Sequence, residues 1–417
     1  MNDNPGNVLF RLLIAFCLLF LPPLSAKVTL GIDQLSNGKY DHLLKGQRVG
    51  LITNHTAVNS RMESTIDLLK AHARKGGFTF AALFAPEHGL TGSSHANASI
   101  QDGRDKDGIP IFSLHGKTKR PTKEMLSHVD VLIFDIQDIG SRSYTYISTL
   151  FYAMEEAAKY GVRVIVLDRP NPINGTTIDG PMMEERWRSF VGYINVPYCH
   201  GMTVGELARY FNEEYKVGCH LDVVPMQGWE RRMTFHDTGL PWVPTSPHIP
   251  EASSAWYYPT TGILGEISMV NIGVGYPLPF KIVGAPWIDA DAFAAKLNAQ
   301  QFPGVRFHPF HFKPFYGAYS GQECHGVLIV ITEERTYLPV TTQYLLIGIL
   351  KSLYPRQFRD SLQKTAHRKE MFSKVNGTDE VWRIMKEEPY IVWKLKEIDH
   401  ANRERFKQKR GRYLIYR

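Results

Sequence analysis

The sequence predicts an α/β protein: a Rossmann-like open, mostly parallel sheet followed by a smaller α+β domain. Three observations carry this. Four continuous apolar runs stand in the first half, RVGLIT (48–53), FTFAALF (78–84), VDVLIFDI (129–136) and VRVIVLD (162–168). Unbroken rather than alternating runs mark strands buried on both faces. Helical patterns lie between the runs, and a segment dense in proline and aromatic residues divides this half from a remainder of mixed short strands and helices.

Residues 1–26 carry Arg11, the apolar run LLIAFCLLFLPPL and the triplet Leu24-Ser25-Ala26. This is the pattern of an export signal cut after Ala26. The run is shorter than a membrane span, Pro22-Pro23 breaks it, and Phe16 rather than a small residue precedes Cys17. A cleaved leader with no lipid or membrane anchor is expected, and a mature chain in the periplasm or outside the cell. That chain keeps Cys199, Cys219 and Cys324. An odd number excludes a fully paired framework; one bridge plus a thiol, or three buried thiols, both fit.

The chain has 417 residues, 43% of them apolar and 21% charged, the profile of a folded protein of about two domains. Aromatic residues make up 12%, enough to floor a sugar cleft or simply to fill cores. The net charge is +7, and ANRERFKQKRGRYLIYR at the C-terminus holds seven Lys or Arg against one Glu. Such a tail suits an anionic wall polymer or a lipid surface, or is a solvated helix end. No nucleic-acid motif is present.

Helices are predicted over STIDLLKAHARK (64–75) and TYISTLFYAMEEAAKYG (145–161), the second ended by Gly161. In an open α/β sheet the ligand lies at the carboxyl ends of the strands. After the first run come Asn54, His55 and Thr56, and after the second Pro86, Glu87, His88 and Gly89. The third is followed by Asp135, Gln137, Asp138, Gly140, Ser141 and Arg142, the fourth by Asp168, Arg169 and Asn171. Four endings this rich in carboxylate, imidazole, amide and guanidinium point to a functional cleft.

Downstream, HGMTVGELARYFNEEY places a capping box, Thr203 with Glu206, at a helix start. Glu206 is thereby assigned to structure, and His200 stays a candidate for the cleft rim. From about 225 to 260 the chain is dense in proline and aromatic residues, GLPWVPTSPHIPEASSAWYYPTTG, which predicts extended, irregular chain with little room for helix, crossing into the second domain and partly lining the cleft. Beyond it, GVLIVITE (326–333) predicts a strand and TTQYLLIGILKSLY (341–354) a helix. The first strand has no GxGxxG, and Gly273-Val274-Gly275 opens no helix, so no dinucleotide cofactor is expected.

Glu87 ends an apolar strand after a proline, a partly desolvated setting that suits a general acid. Candidate second carboxylates are Asp135, Asp138 and Asp168, of which Asp135 and Asp168 occupy equivalent strand ends. Arg142 and Arg169 are forks for a ligand carboxylate, or salt-bridge partners of the neighbouring aspartates. Tyr144, Tyr146, Trp256, Tyr257 and Tyr258 are candidates for stacking on a sugar face, or for the core. Paired carboxylates with such neighbours fit hydrolysis of an acidic glycan. Two other readings stand beside it. His55, His88, His200 and His248 with Asp135 would make a metallohydrolase, although no HxH or HExxH spacing supports a metal. A non-catalytic wall-binding protein would explain the aromatics and the charge.

Taken together, LFAPEHGLTG, GIPIFSLHG, VDVLIFDIQDIGSRSYTYISTL, VIVLDRPNPING with IDGP, and HGMTVGELA resemble the exo-β-N-acetylmuramidase NamZ family, formerly a family of unknown function. The resemblance runs from about Gly31 to the terminal YLIY. It implies an enzyme that removes N-acetylmuramic acid from the non-reducing end of peptidoglycan fragments. It also implies a Rossmann-like catalytic domain, 27–240, and an auxiliary domain, 241–417, with the cleft between them. Glu87 carries over as acid/base, and the lactyl carboxylate of the sugar gives Arg142 or Arg169 a task. Asn54, His55, His88, Gln137, Tyr144, Asn171, His200 and His248 complete the expected substrate site. Where members read PSPNLP this chain has Ser246-Pro247-His248-Ile249-Pro250. Where they read FEGT and then GRGT it keeps Glu266, a further candidate acid, but has Val274 for the arginine.

Overall fold

The computed structural model describes residues 28–93 and 101–417; the expected export signal lies outside them. The four apolar runs form β1 (Arg48–Thr53), β2 (Thr79–Ala85), β5 (Val131–Asp135) and β6 (Arg163–Leu167) of a seven-stranded sheet. Three strands were not foreseen: β3 (Gly103–Arg104), β4 (Pro110–Ser113) and β7 (Leu221–Val224). The order is β3-β4-β2-β1-β5-β6-β7, parallel except at the β3 edge.

Both faces of the sheet are covered, which is why the runs read as unbroken. Leu51, Leu83, Ile133 and Ile165 pack on one side with Leu30, Leu35 and Trp229. Their neighbours Ile52, Phe84, Phe134 and Val166 face the other side and join the core that continues into the second domain. The two-residue period of a strand thus serves two hydrophobic layers. From β1 the chain moves outward to β2 and β4, then returns to the far side of β1 for β5 to β7. The direction reverses at the β1–β5 boundary, the topological switch point where α/β sheets open a crevice.

Helices α1 (Thr65–Arg74), α2 (Tyr146–Tyr160) and α3 (Val204–Glu214) match the periodic segments. Gly161 ends α2 at φ 69°, and Thr203 and Glu206 cap α3 reciprocally. Glu206 also takes a 2.7 Å ion pair from Arg231, the structural role assigned to it.

The stretch from about 225 to 260, expected to be irregular, needs correction. Its C-terminal end is helical, α4 (Ser254–Gly265), with Pro259 inside. Nearly every position of α4 is buried, so packing decides over propensity. The Thr260 and Thr261 hydroxyls bond back to the Trp256 and Tyr257 carbonyls around the proline. The remainder holds a three-stranded antiparallel sheet, ordered β8 (Ile282–Ala285), β10 (Cys324–Ile331), β9 (Val305–Phe312). Helix α5 (Pro339–Leu353) packs on α4.

The C-terminal tail returns to the large sheet. Tyr416 donates to Asp168 at 2.6 Å, and the Ile415 amide donates to Glu206 at 2.9 Å. Cys199, Cys219 and Cys324 are three buried, free thiols. No helix among the described residues is long and apolar enough to cross a membrane.

Candidate active site

The carboxyl edge of the sheet presents one row of polar groups. Across β4, β2, β1 and β5 the strand ends lead into His115, Glu87 with His88, Asn54 with His55, and Asp138. Local backbone geometry sets them. His88 and Gly89 take φ 69° and 75°, and the Gly89 amide closes a turn onto the Pro86 carbonyl at 3.0 Å. The loop then crosses His55 so closely at Gly92, φ 72°, that a Cβ there would enter the imidazole ring. Only glycine allows that crossing.

Glu87 is 8% exposed. Thr145, just ahead of α2, donates its hydroxyl to Oε2 at 2.5 Å, and His115 Nε2 stands 3.7 Å from Oε1. Burial pulls the His115 pKa below its usual value while the Glu87 charge opposes the shift, so the imidazole is neutral near pH 7. His55 is likewise lowered by burial. Its Nε2 lies 2.6 Å from the Pro244 carbonyl. A carbonyl only accepts, so Nε2 carries the proton and Nδ1 keeps its lone pair. Asp138 accepts the Gly140 amide on Oδ2 at 2.7 Å, and burial pushes its carboxyl up to about 7.

Four buried polar atoms in this row have no hydrogen-bond partner: Asn54 Nδ2, His55 Nδ1, His115 Nδ1 and Asp138 Oδ1. Each such atom is costly unless something else satisfies it. Concentrated at adjacent strand ends around Glu87, they form a set of donors and acceptors suited to a hydroxyl- and amide-bearing ligand.

An aromatic wall closes one side. Tyr144 meets Tyr146 and Tyr258 edge-on at 5.1 and 5.8 Å. Tyr144 and Tyr146 donate to Thr245, each at 2.8 Å. Burial raises the Tyr258 phenol to about 12, a Ser143 hydrogen bond opposes this, and the charges of Glu266 and Glu87 add to it. One phenol therefore feels both carboxylates. Glu266 is itself raised by burial, offset in part by Arg368 at 3.9 Å.

The structure brings together Glu87, His88, Asn54, His55, Asp138 and Tyr144, with Glu266 beyond Tyr258. It sets His248, within the 244–250 segment, on the Tyr316 hydroxyl at 2.9 Å. Six other expected site residues are engaged with partners inside the protein. Asp168 has no exposed surface and is filled by Thr203, Gly205 and Tyr416; burial holds its carboxyl up to about 6 against those bonds. Arg169 is forked onto Asp135 at 2.5 and 2.9 Å. Arg142, fully buried, donates to the carbonyls of Pro181, Val196, Val375 and Asn376, which ties the C-terminal helices to the sheet. Gln137 donates to the carbonyls of Asp138 and Pro170. Asn171 bridges Met202 and Ile173. His200 is fully buried, its Nδ1 accepting the Met202 amide, and burial lowers its pKa to about 3.

The imagined metal constellation therefore does not assemble: His200 and Asp135 are spent inside, and His248 is on Tyr316. Among the described residues no group of three His, Cys, Asp or Glu side chains stands ready for a metal ion. Trp256 is core, and Tyr257 faces Lys281. His115 and Thr145 were missed. GIPIFSLHG carried the signal for His115, because it too is an apolar run ending on a histidine.

Two family models match the chain, both described as exo-beta-N-acetylmuramidase NamZ: the N-terminal one over residues 49–253 and the C-terminal one over 256–416. A relative from Bacillus subtilis, peptidoglycan beta-N-acetylmuramidase NamZ, is 40% identical over 395 residues, 94% of this chain and 92% of its own. Two crystal structures of DUF1343 family proteins from Bacteroides fragilis share the fold. One has a TM-score of 0.86 at 40% identity, the other 0.69 at 27%, and each covers 94% of this chain and 99% of its own.

Proposed function

The chain belongs to the exo-β-N-acetylmuramidase NamZ family, and from that membership we propose that it is a glycoside hydrolase that removes terminal N-acetylmuramic acid from peptidoglycan fragments, with Glu87 as its acid/base. The observation that supports this site is the set of four unpaired buried polar atoms around Glu87.

Glu87 delivers a proton to the glycosidic oxygen as the bond to the next sugar breaks, and takes one from water afterwards. Thr145 fixes the rotation of the carboxyl, and neutral His115 lies along its second oxygen. Asp138 is the second carboxyl at the switch point. Its site favours the protonated form below about pH 7, which suits hydrogen-bond donation to the sugar. Asn54 Nδ2 and the two imidazole Nδ1 atoms take sugar hydroxyl and acetamido groups.

Since Arg142 and Arg169 are engaged internally, another cation must meet the lactyl carboxylate. Lys119 fits: its charge bears on His115, and its ammonium stands 4.0 Å over the Phe190 ring. The leader-like residues 1–26 support export, so the enzyme would meet its substrate outside the cytoplasm.

The test is release of free N-acetylmuramic acid from a muramic-acid-terminated glycan, with and without chelator. Release by the wild type, unaffected by chelator and lost in Glu87→Gln, is expected. No release by the wild type, or release that chelator abolishes, contradicts the proposal.

A further inference from the structure

The loop between β9 and β10 carries two large aromatic side chains in solvent: Phe315 is 75% exposed and Tyr316 54%. Their backbone is nevertheless held firmly. The Phe315 amide donates to the Gly275 carbonyl at 2.7 Å, the Gly321 amide to the Pro314 carbonyl at 2.9 Å, and the Ser320 hydroxyl to the Phe315 carbonyl at 2.8 Å. Gly275, at φ 92°, lies so close that a Cβ would collide with the Tyr316 carbonyl. The Phe315 ring lies nearly parallel to Tyr276, at 19° and 6.4 Å between centroids. A pinned loop that spends its order on presenting rings to water calls for an apolar ligand face.

Two routes tie this platform to the active site. The first is the segment that begins at the Pro244 carbonyl on His55, passes Thr245 on Tyr144 and ends with His248 on the Tyr316 hydroxyl. The four steps from 244 to 248 span at most about 14 Å of chain, the scale of a short oligosaccharide. The second runs from Tyr258 through Phe280, 5.1 Å away, whose amide bonds to the Ile272 carbonyl at the start of the loop that holds Gly275 and Tyr276. The platform is thus tied to the active-site row by two short, packed routes.

We propose that Phe315 and Tyr316 form a leaving-group subsite that stacks the glycan beyond the scissile bond. This rests on the muramidase reading of the site. An exo-acting enzyme holds one terminal sugar in its pocket, so the rest of the glycan must leave the pocket along its surface. Sugar rings offer an apolar C–H face to aromatic rings, and the Tyr316 hydroxyl adds a polar handle.

The experiment compares kcat/KM of wild type and the F315A/Y316A double variant on two substrates. One is the tetrasaccharide of alternating N-acetylmuramic acid and N-acetylglucosamine with muramic acid at its non-reducing end. The other is β-N-acetylmuramyl fluoride, whose leaving group is too small to reach the platform. The proposal expects a loss of about tenfold on the tetrasaccharide, mostly in KM, and less than about twofold on the fluoride. An equal loss on both substrates, or no loss on either, overturns it. A wild type inactive on both would instead overturn the muramidase reading beneath it.

Discussion

Glu87 and Arg142 show two fates of charged residues at the same sheet edge. Glu87 keeps one carboxyl oxygen on Thr145 and the other toward His115, beside unpaired polar atoms. Arg142 is buried with four carbonyl acceptors drawn from both halves of the chain. Burial lowers its pKa to about 10, the mark of a cation stripped of water. Arg142→Ala should therefore destabilise the protein by roughly 3 kcal/mol or more, read by urea or thermal unfolding. Whatever remains folded should keep the KM of the wild type. A raised KM with intact stability would restore Arg142 to the substrate site. The two arginines were indistinguishable from ligand-binding forks in the sequence, because a motif shows a charge but not its partner. Asp135 pairs with Arg169 across 34 positions, and Asn376 with Arg142 across 234.

At the scale of elements, the long buried strands and periodic helices were legible, since burial on both faces writes an unbroken apolar run. β4 was not: PIFS is four residues, opens with proline and is mostly half-buried. Missing it hid His115, although the histidine follows its strand just as His55 and His88 follow theirs. Helix α4 was hidden for the opposite reason, because proline and aromatics that argue for irregular chain are absorbed by a mostly buried setting. The loop after β2 shows how an element positions a side chain. Gly92→Ala adds a methyl where the His55 ring sits, in a backbone region that L-residues avoid. It should cost at least tenfold in kcat/KM with Tm lowered by a few degrees at most, because Gly92 itself belongs to neither core, Leu90 being the loop's contact with the hydrophobic layer. Unchanged kcat/KM would place His55 outside the chemistry.

The whole molecule is a sheet whose carboxyl edge is kept polar at an energetic cost. Burial raises Asp138 to about 7 and Asp168 to about 6, above the usual value near 4 for an unfolded chain. The folded state then binds protons that the unfolded state has released. The share of stability that these two carboxyls supply should fall as pH rises from about 4 to about 7, while His55, His115 and His200, lowered by burial, act in the opposite direction. Asp138→Asn should remove its share and raise Tm by several degrees at pH 8 relative to wild type, with little change at pH 4. A wild-type slope left intact in the variant would contradict it. The central claim remains that Glu87, on this edge, protonates the departing sugar. It is tested most directly by first-turnover rates of Glu87→Gln on a muramic-acid-terminated disaccharide and on β-N-acetylmuramyl fluoride, which needs no proton to leave. The account predicts a loss of about 10³-fold on the disaccharide and a far smaller one on the fluoride. Equal losses on the two substrates, or full activity on the disaccharide, would contradict it.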